Sequence, residues 1–298
     1  MMVTTRGSVL RLMLWQWRKV LLFIASATIV TVLHRVFGIE TMLLPTTPML
    51  VVGAALGIFV SFRTNTAYDR WWEGRRLWGQ LVNSSRHLAT QALVYVKQQA
   101  VAREVIVRHA AYVHVLRCLL REQDPWADPD VARLLDADTR AALRGETNPT
   151  HALLHRQAEA LVAAADRGEL EPLRLQSIDG TLATLLDVQG GCERIKRTPM
   201  PRGYVFIAER LIVIYGAMFP LSLADELGWA TIPINVLVCM AFALISEAGR
   251  VLEDPFTTFW NGLPLTALSR TIEANIRQRL GDSDLPEIPR PDQHGVLM

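Results

Sequence analysis

Few residue patterns in this chain suit metal binding or catalysis. His151 and His155 stand four positions apart, a spacing that on one helix would suit two ligands of a metal ion. Nothing around them completes a known ligand set, so we predict no metal site and expect these histidines to be surface or core residues. The three cysteines, Cys118, Cys192 and Cys239, are widely spaced and fit neither a disulfide framework nor a metal cluster.

Motifs for covalent or phosphate chemistry are also missing. The sequence has no nucleophile elbow, no phosphate-binding loop and no zinc-protease motif. Gly190 and Gly191 form an isolated pair, which is too little to predict phosphate binding. We therefore predict no enzyme and no cofactor, although a membrane-bound enzyme stays an open alternative.

One apolar pattern suits ion conduction. Ala54, Ile58 and Phe62 recur every four residues and would lie on one stripe of a helix. Several copies of such a stripe around an axis would form a dry constriction, which ions cross only when it widens. The neighbouring small residues Gly53 and Gly57 fit close helix packing equally well, so pore lining and helix packing are both open here.

Two charges interrupt another apolar segment. Glu209 and Arg210 lie a few residues inside it, and charges at membrane depth must face protein or a water-filled cavity. A position at the cytosolic membrane interface, paired with neighbouring groups, is the alternative interpretation.

The stretch Ser61–Gly79 links the stripe to the rest of the chain. It directly follows an apolar run, contains no proline and carries four arginines and three tryptophans. We predict that the membrane helix continues through it as a helix in water. One face of that helix alternates small and large residues, which predicts tight packing against another helix: Thr64, Ala67, Trp71, Gly74 and Trp78.

The elements that position these residues are predicted to be helical and partly membrane-embedded. Half of the 298 residues are hydrophobic although 20% are charged, and the mean hydropathy is +0.20. Lysine and arginine flank the predicted cytosolic ends of the apolar segments, and the loops 36–47 and 225–228 carry none, so four spans with both termini in the cytosol fit the positive-inside rule. The four segments are Val20–Leu33, Met42–Phe62, Tyr204–Ala224 and Trp229–Ile245.

The polar part of the chain reads as a cytosolic helical bundle without strands. Gln80–Glu122 predicts one long helix or two, Asp130 is a candidate cap for the following helix, and Gly190–Gly203 is predicted to be irregular. The net charge of +2 gives no indication of nucleic-acid binding. The predicted divisions are an amphipathic N-terminus with two spans and a neck (1–79), a cytosolic domain (80–200), two further spans (201–250) and a cytosolic tail (251–298).

Four stretches of this sequence resemble the bestrophins, specifically their bacterial members. They are FRTNTAYDRWWEGRRLWG at 62–79, QGGCERIKRTPMPRGY at 189–204, EAGRVLEDPF at 247–256 and LPLTALSRTIE at 263–273. The resemblance extends over nearly the whole chain. It implies an all-α membrane protein with four transmembrane helices plus a cytosolic helical bundle, a homopentamer around a central pore in the bacterial inner membrane.

The resemblance also assigns roles to residues. Ala54, Ile58 and Phe62 would form the pore neck, where the family is more aromatic than Ala54, and Leu170 would form a second constriction at the cytosolic exit. We expect a structural collar below the neck that holds five neck helices in place. Its residues are Arg70, Trp71, Trp72, Glu73 and Trp78.

The expected function is a pentameric channel for monovalent ions in the lipid bilayer, with a sodium-like cation slightly favoured over chloride. An anion channel of the same fold is the first alternative, and a membrane-anchored scaffold protein is the second; a transporter would require paired broken helices that the segments do not show. Animal bestrophins bind calcium through an acidic run after the Pro-Phe pair. Here Thr257 and Thr258 follow Pro255 and Phe256, so we expect no activation by calcium.

Overall fold

The structure, a computed structural model, describes residues 15–292 and 295–297. Most of the predicted amphipathic N-terminus (1–14) lies outside the described residues. The described part folds into helices joined by short connections. In chain order they are α1 (Trp17–Arg35), α2 (Thr46–Tyr95), α3 (Gln99–Leu120), α4 (Pro129–Leu134), α5 (Ala137–Arg144), α6 (Pro149–Asp166), α7 (Pro172–Arg197), α8 (Arg202–Met218), α9 (Pro220–Leu227), α10 (Thr231–Leu252) and α11 (Leu265–Arg279).

The chain divides into two compact units. Among the described residues, the polar unit contains Trp72–Thr198 and the chain from Asp254 to 292 with 295–297, and the apolar unit contains 15–71 together with Pro199–Glu253. Helix α2 contributes residues to both units, because Ser61–Gly79 continues the apolar helix without a break, as predicted.

In the apolar unit, α1 packs against α8, α9 and α10. Its core contains Phe23, Leu56, Val60, Tyr215 and Met240. Within the described part of the chain, three segments are long and apolar enough to cross a membrane: Trp17–Arg35, Thr46–Tyr95 and Phe206–Leu252. The third segment contains α10 and most of α8, separated by α9, which begins at Pro220. Proline lacks the amide hydrogen that a continuing helix requires, so α8 ends before Pro220 and α9 begins there.

In the polar unit, α3 is the central helix and packs against α6 and α11. Most of α3 is buried, which accounts for its apolar residues on several faces. The long helical pattern at 80–122 is two helices, because the chain leaves the helix between Tyr95 and Gln99.

Two local predictions were wrong. The stretch Gly190–Gly203 is not irregular throughout: α7 continues to Arg197, and a β-carbon on Gly191 would come within 2.9 Å of Leu77, so this glycine allows two helices to approach closely. The cap of α4 is Asp128 rather than Asp130, and its carboxylate accepts from the amides of Asp130 and Val131.

Candidate functional site: the neck face of helix α2

The predicted stripe is exposed on the described chain. Ala54 is exposed, Ile58 is 59% exposed and Phe62 is 62% exposed, whereas Leu56 and Val60 between them are 4% and 1% exposed. Helix α2 therefore has one face built into its own subunit and another face that presents apolar side chains outward. An exposed apolar stripe of this length is expected to contact a neighbouring copy or lipid, or to line a dry pore.

Glycines hold another face of α2 close to the other helices of the apolar unit. A β-carbon on Gly53 would lie 2.6 Å from the hydroxyl of Tyr215, and one on Gly57 would lie 3.4 Å from Phe242. A β-carbon on Gly249 of α10 would lie 3.0 Å from Oγ1 of Thr64. The small residues that we considered for helix packing thus do serve helix packing, and the stripe residues lie on another face.

An arginine is fully buried next to the last stripe residue. Arg63 is 0% exposed, donates from Nη1 to Oγ of Ser246 at 2.8 Å and from Nη2 to Oε1 of Glu253 at 2.8 Å. Nε of Arg70 donates to the main-chain oxygen of Glu253 at 3.1 Å. Sequence reasoning missed Arg63, because its partners lie more than 180 residues away and no local pattern marks them.

The collar residues have separate surroundings. In the polar unit, Trp78 is fully buried, Glu73 accepts a hydrogen bond from Arg194, and Trp72 is 54% exposed. In the apolar unit, the rings of Trp71 and Tyr68 stack with centroids 6.1 Å apart. No single structural role unites them, and the collar stays a prediction.

The predicted exit residue is buried. Leu170 is 2% exposed, so its side chain packs inside its own subunit and does not reach an ion path. Leu173, in the first turn of α7, is 81% exposed. The chain turns at Gly168, two residues before Leu170, with a φ of +73°.

The two charges inside the third apolar segment lie near other groups of that unit. The guanidinium of Arg210 lies 4.9 Å from the ring centre of Phe206, which is within cation–π distance. Glu209 is partly buried and lies within electrostatic range of Arg250. This arrangement fits the interface interpretation, in which the charges pair with neighbouring groups.

The histidine pair does not form a metal site in the described structure. His151 is exposed, and Nε2 of His155 lies 3.4 Å from Glu159. The described residues do bring His114, Asp128 and Asp130 together, with ligand atoms within 4.8 Å of one another. Arginines already neutralise these carboxylates, which disfavours a divalent ion: Arg117 bonds to both, and Arg133 and Arg270 bond to Asp130.

Glu273 is the centre of that buried network. Its fully buried carboxylate accepts from Nε2 of His114 at 2.9 Å, from Nη1 of Arg133 at 2.6 Å and from Nη1 of Arg277 at 2.9 Å. Burial raises the pKa of Glu273, but the hydrogen bonds from His114, Arg133 and Arg277 outweigh it and lower the pKa to about 2. Glu273 is therefore ionised at neutral pH, and the network is structural.

Asp254, directly before Pro255 and Phe256, is held in an ion pair. Oδ2 of Asp254 accepts from Nζ of Lys196 at 2.7 Å, and Oδ1 accepts from the amide of Phe256 at 3.0 Å. Both carboxylate oxygens thus have protein partners.

Comparison with known proteins identifies the family that this chain resembles. The family model of the bacterial and fungal bestrophin proteins matches residues 1–278. A voltage-dependent anion channel-forming protein of Mesorhizobium japonicum is 33% identical over 267 residues, which are 90% of this chain and 85% of the relative. One of Escherichia coli K12 is 33% identical over 250 residues, 84% of this chain and 82% of the relative.

The fold agrees with solved structures. The crystal structure of a bacterial bestrophin homologue from Klebsiella pneumoniae superimposes with a TM-score of 0.82 and 29% identity, covering 89% of this chain and 98% of that one. The described helices therefore belong to a membrane ion channel and not to an enzyme. The chain is a member of the bacterial and fungal bestrophin family.

Proposed function

We propose that this chain forms a homopentameric channel whose neck is lined by Ala54, Ile58 and Phe62. The observation that carries the proposal is the division of α2 into two faces. Its glycine-rich face is packed against its own subunit, while the apolar stripe is exposed. Five such stripes around an axis would enclose a path without charges, which closes by dewetting.

The membrane arrangement that we propose has four spans: α1, the first part of α2, α8 and α10. Both termini and the polar unit face the cytosol of the bacterial inner membrane. The placement of lysine and arginine supports this orientation. The three candidate segments are compatible with it, because Phe206–Leu252 is long enough for two passes.

We propose monovalent anions as the conducted ions. The sequence-based preference for a cation has no support among the relatives, because those compared above are named for anion channels. The neck carries no charge that would favour either sign, so a cation channel of the same architecture is the competing outcome.

The cytosolic exit is assigned to Leu173 in place of Leu170. Leu173 is the most exposed large apolar side chain of the described residues, at 81%. Five copies of it would form a second apolar ring.

We further propose that calcium does not activate this channel. The oxygens of Asp254 are occupied by Lys196 and by the amide of Phe256, and no acidic residue stands at 255–260. A hard divalent cation needs six or more oxygen ligands, and this segment offers few free ones.

The test is current through planar bilayers that contain the purified protein. In a gradient of potassium chloride, a reversal potential near the chloride equilibrium potential supports the anion proposal, and one near the potassium potential refutes it. Strong activation by micromolar calcium would refute the calcium proposal. A detergent-solubilised protein mass of about five times 33.4 kDa is expected.

Two neck variants test the gate. Ile58→Ala and Phe62→Ala should each raise the current severalfold, because a wider and less apolar neck stays wet more often. Ile29→Ala is a matched control, since Ile29 of α1 is the same residue type and is also 59% exposed. Unchanged current in both neck variants, or an equal rise in the control, would exclude the stripe as the gate.

A further inference from the structure

A charged pair lies directly behind the neck. Arg63 is next to Phe62 in sequence, and successive helical residues point about 100° apart. While Phe62 is exposed, Arg63 is 0% exposed and bonds to Ser246 and Glu253 on α10 and at its end. The two neighbours thus connect the proposed ion path with the helix packed behind it.

The pair is unusual in energetic terms. Removing an arginine from water in an apolar unit is unfavourable, and an apolar residue of similar volume would often stabilise such a site as well or better. Nε of Arg63 has no hydrogen-bond partner among the described residues, so the guanidinium is not fully satisfied. Packing alone does not account for an arginine here.

The contacts restrict rotation of α2 about its own axis. Arg63 and Arg70 lie seven positions apart, about two turns, and bond to the carboxylate and to the main-chain oxygen of the same residue, Glu253. Cationic groups at the C-terminus of a helix also interact favourably with its free carbonyls. Between them, Oγ1 of Thr64 donates to the main-chain oxygen of Ile245 at 3.2 Å.

We propose that Arg63 and Glu253 form a latch that fixes the rotation of α2 and thereby keeps Phe62 in the closed neck. Arg63 is a positioning residue: it does not touch the ion, and it acts through Phe62. When the latch is released, α2 rotates more freely and Phe62 leaves the constriction more often. The direction of the gating effect rests on the proposed channel function, whereas the restraint on α2 does not.

The main test removes both charges together. Glu253→Gln leaves the buried Arg63 without its partner, Arg63→Gln leaves the partly buried Glu253 without its partner, and both single variants are expected to assemble poorly. The double variant Arg63→Gln/Glu253→Gln leaves no unpaired charge and should assemble like the wild type. We expect its open probability to rise about tenfold at unchanged single-channel conductance, and the amides of residues 58–66 to exchange hydrogen about tenfold faster.

The control is Glu104→Gln/Arg108→Gln. This ion pair joins two residues of α3 four positions apart in the polar unit, so its loss should leave both measurements unchanged. Wild-type open probability and exchange in the latch variant, or equal changes in the control, would overturn the proposal. If the latch double variant does not assemble, Ser246→Ala is the deciding variant, because it removes one of the two bonds of Arg63. Hydrogen exchange of the amides of residues 58–66 at the wild-type rate in this variant would overturn the latch.

The two measurements separate this proposal from the channel function. If the wild type carries no current, the proposed function fails, and exchange at residues 58–66 still tests the restraint on α2. If the wild type conducts and the latch variant matches it in both measurements, only the latch fails.

Discussion

Replacing Glu273 by glutamine removes the negative charge at the centre of the buried network in the polar unit. The carboxylate accepts hydrogen bonds from His114, Arg133 and Arg277 and is itself fully buried. Glutamine keeps the size of the side chain, so the variant leaves the packing in place and changes the charge. Two arginines then lie against a neutral amide.

The lowered pKa of Glu273 determines how much stability the Glu273→Gln variant is expected to lose. Its value is about 2 instead of the ordinary 4.5. Each unit corresponds to 1.36 kcal/mol, so ionised Glu273 contributes about 3 kcal/mol to stability at neutral pH. Loss of one partner of a buried ion pair has a similar cost of about 3–5 kcal/mol. At about 2–4 °C per kcal/mol, the unfolding temperature should fall by about 10 °C.

The pH dependence has a defined sign. Because the folded pKa lies below the unfolded pKa, the unfolded state binds more protons between pH 4.5 and about 2. The contribution of Glu273 is therefore complete above pH 4.5 and is lost as the pH falls towards 2. Glu273→Gln should be less stable than the wild type at pH 7, and the difference should shrink in acid.

A thiol-reactive dye measures the unfolding temperature of the detergent-solubilised protein at each pH. Cys118, Cys192 and Cys239 are all buried and react with the dye on unfolding. The control is Glu159→Gln, whose exposed pair with His155 should contribute less than about 1 kcal/mol. An unfolding temperature of Glu273→Gln within 2 °C of the wild type at pH 7, or a difference that grows in acid, would refute the reasoning.

Three further predictions concern the polar unit, with the same unfolding assay. Gly74→Ala should destabilise by about 1–3 kcal/mol, because its β-carbon would lie 2.8 Å from the rigid ring of Pro255; an unchanged unfolding temperature contradicts this. Gly180→Ala meets nothing within 4 Å and should stabilise α7 by up to about 1 kcal/mol; a loss of stability would show that another contact forms there. Burial lowers the pKa of His109 to about 3, so the unfolded state binds more protons below pH 6.5 and the folded protein loses stability as the pH falls. His109→Gln should therefore reduce the slope of stability against pH. An equal slope in both proteins argues against a neutral His109.

Sequence reasoning succeeded where a local pattern carries the information. The absence of proline in Ser61–Gly79 predicted a continuous helix, and α2 runs through it. The four-residue spacing of Ala54, Ile58 and Phe62 predicted a shared face, and all three are exposed. Periodicity is a property of neighbouring residues, so one sequence is sufficient to detect it.

Sequence reasoning failed where tertiary contacts determine the local structure. Gly190 and Gly191 look like a helix end, but packing against Leu77 keeps α7 helical there. The burial of Leu170 could not be predicted, because the direction of a side chain after a turn depends on the backbone. The bond of Arg63 to Glu253 spans 190 positions, and nothing in the local sequence announces it.

Under the proposed function, the gate and the ion selectivity are carried by different parts of the chain. Ala54, Ile58 and Phe62 have no charge or dipole with which to distinguish an anion from a cation, whereas they can exclude water. The nearest buried charge, Arg63, is neutralised by Glu253, so its field at the neck is small. Selectivity must then arise from charged groups elsewhere along the ion path. Widening the neck by Ile58→Ala or Phe62→Ala should for this reason change how much current flows and leave the reversal potential in place.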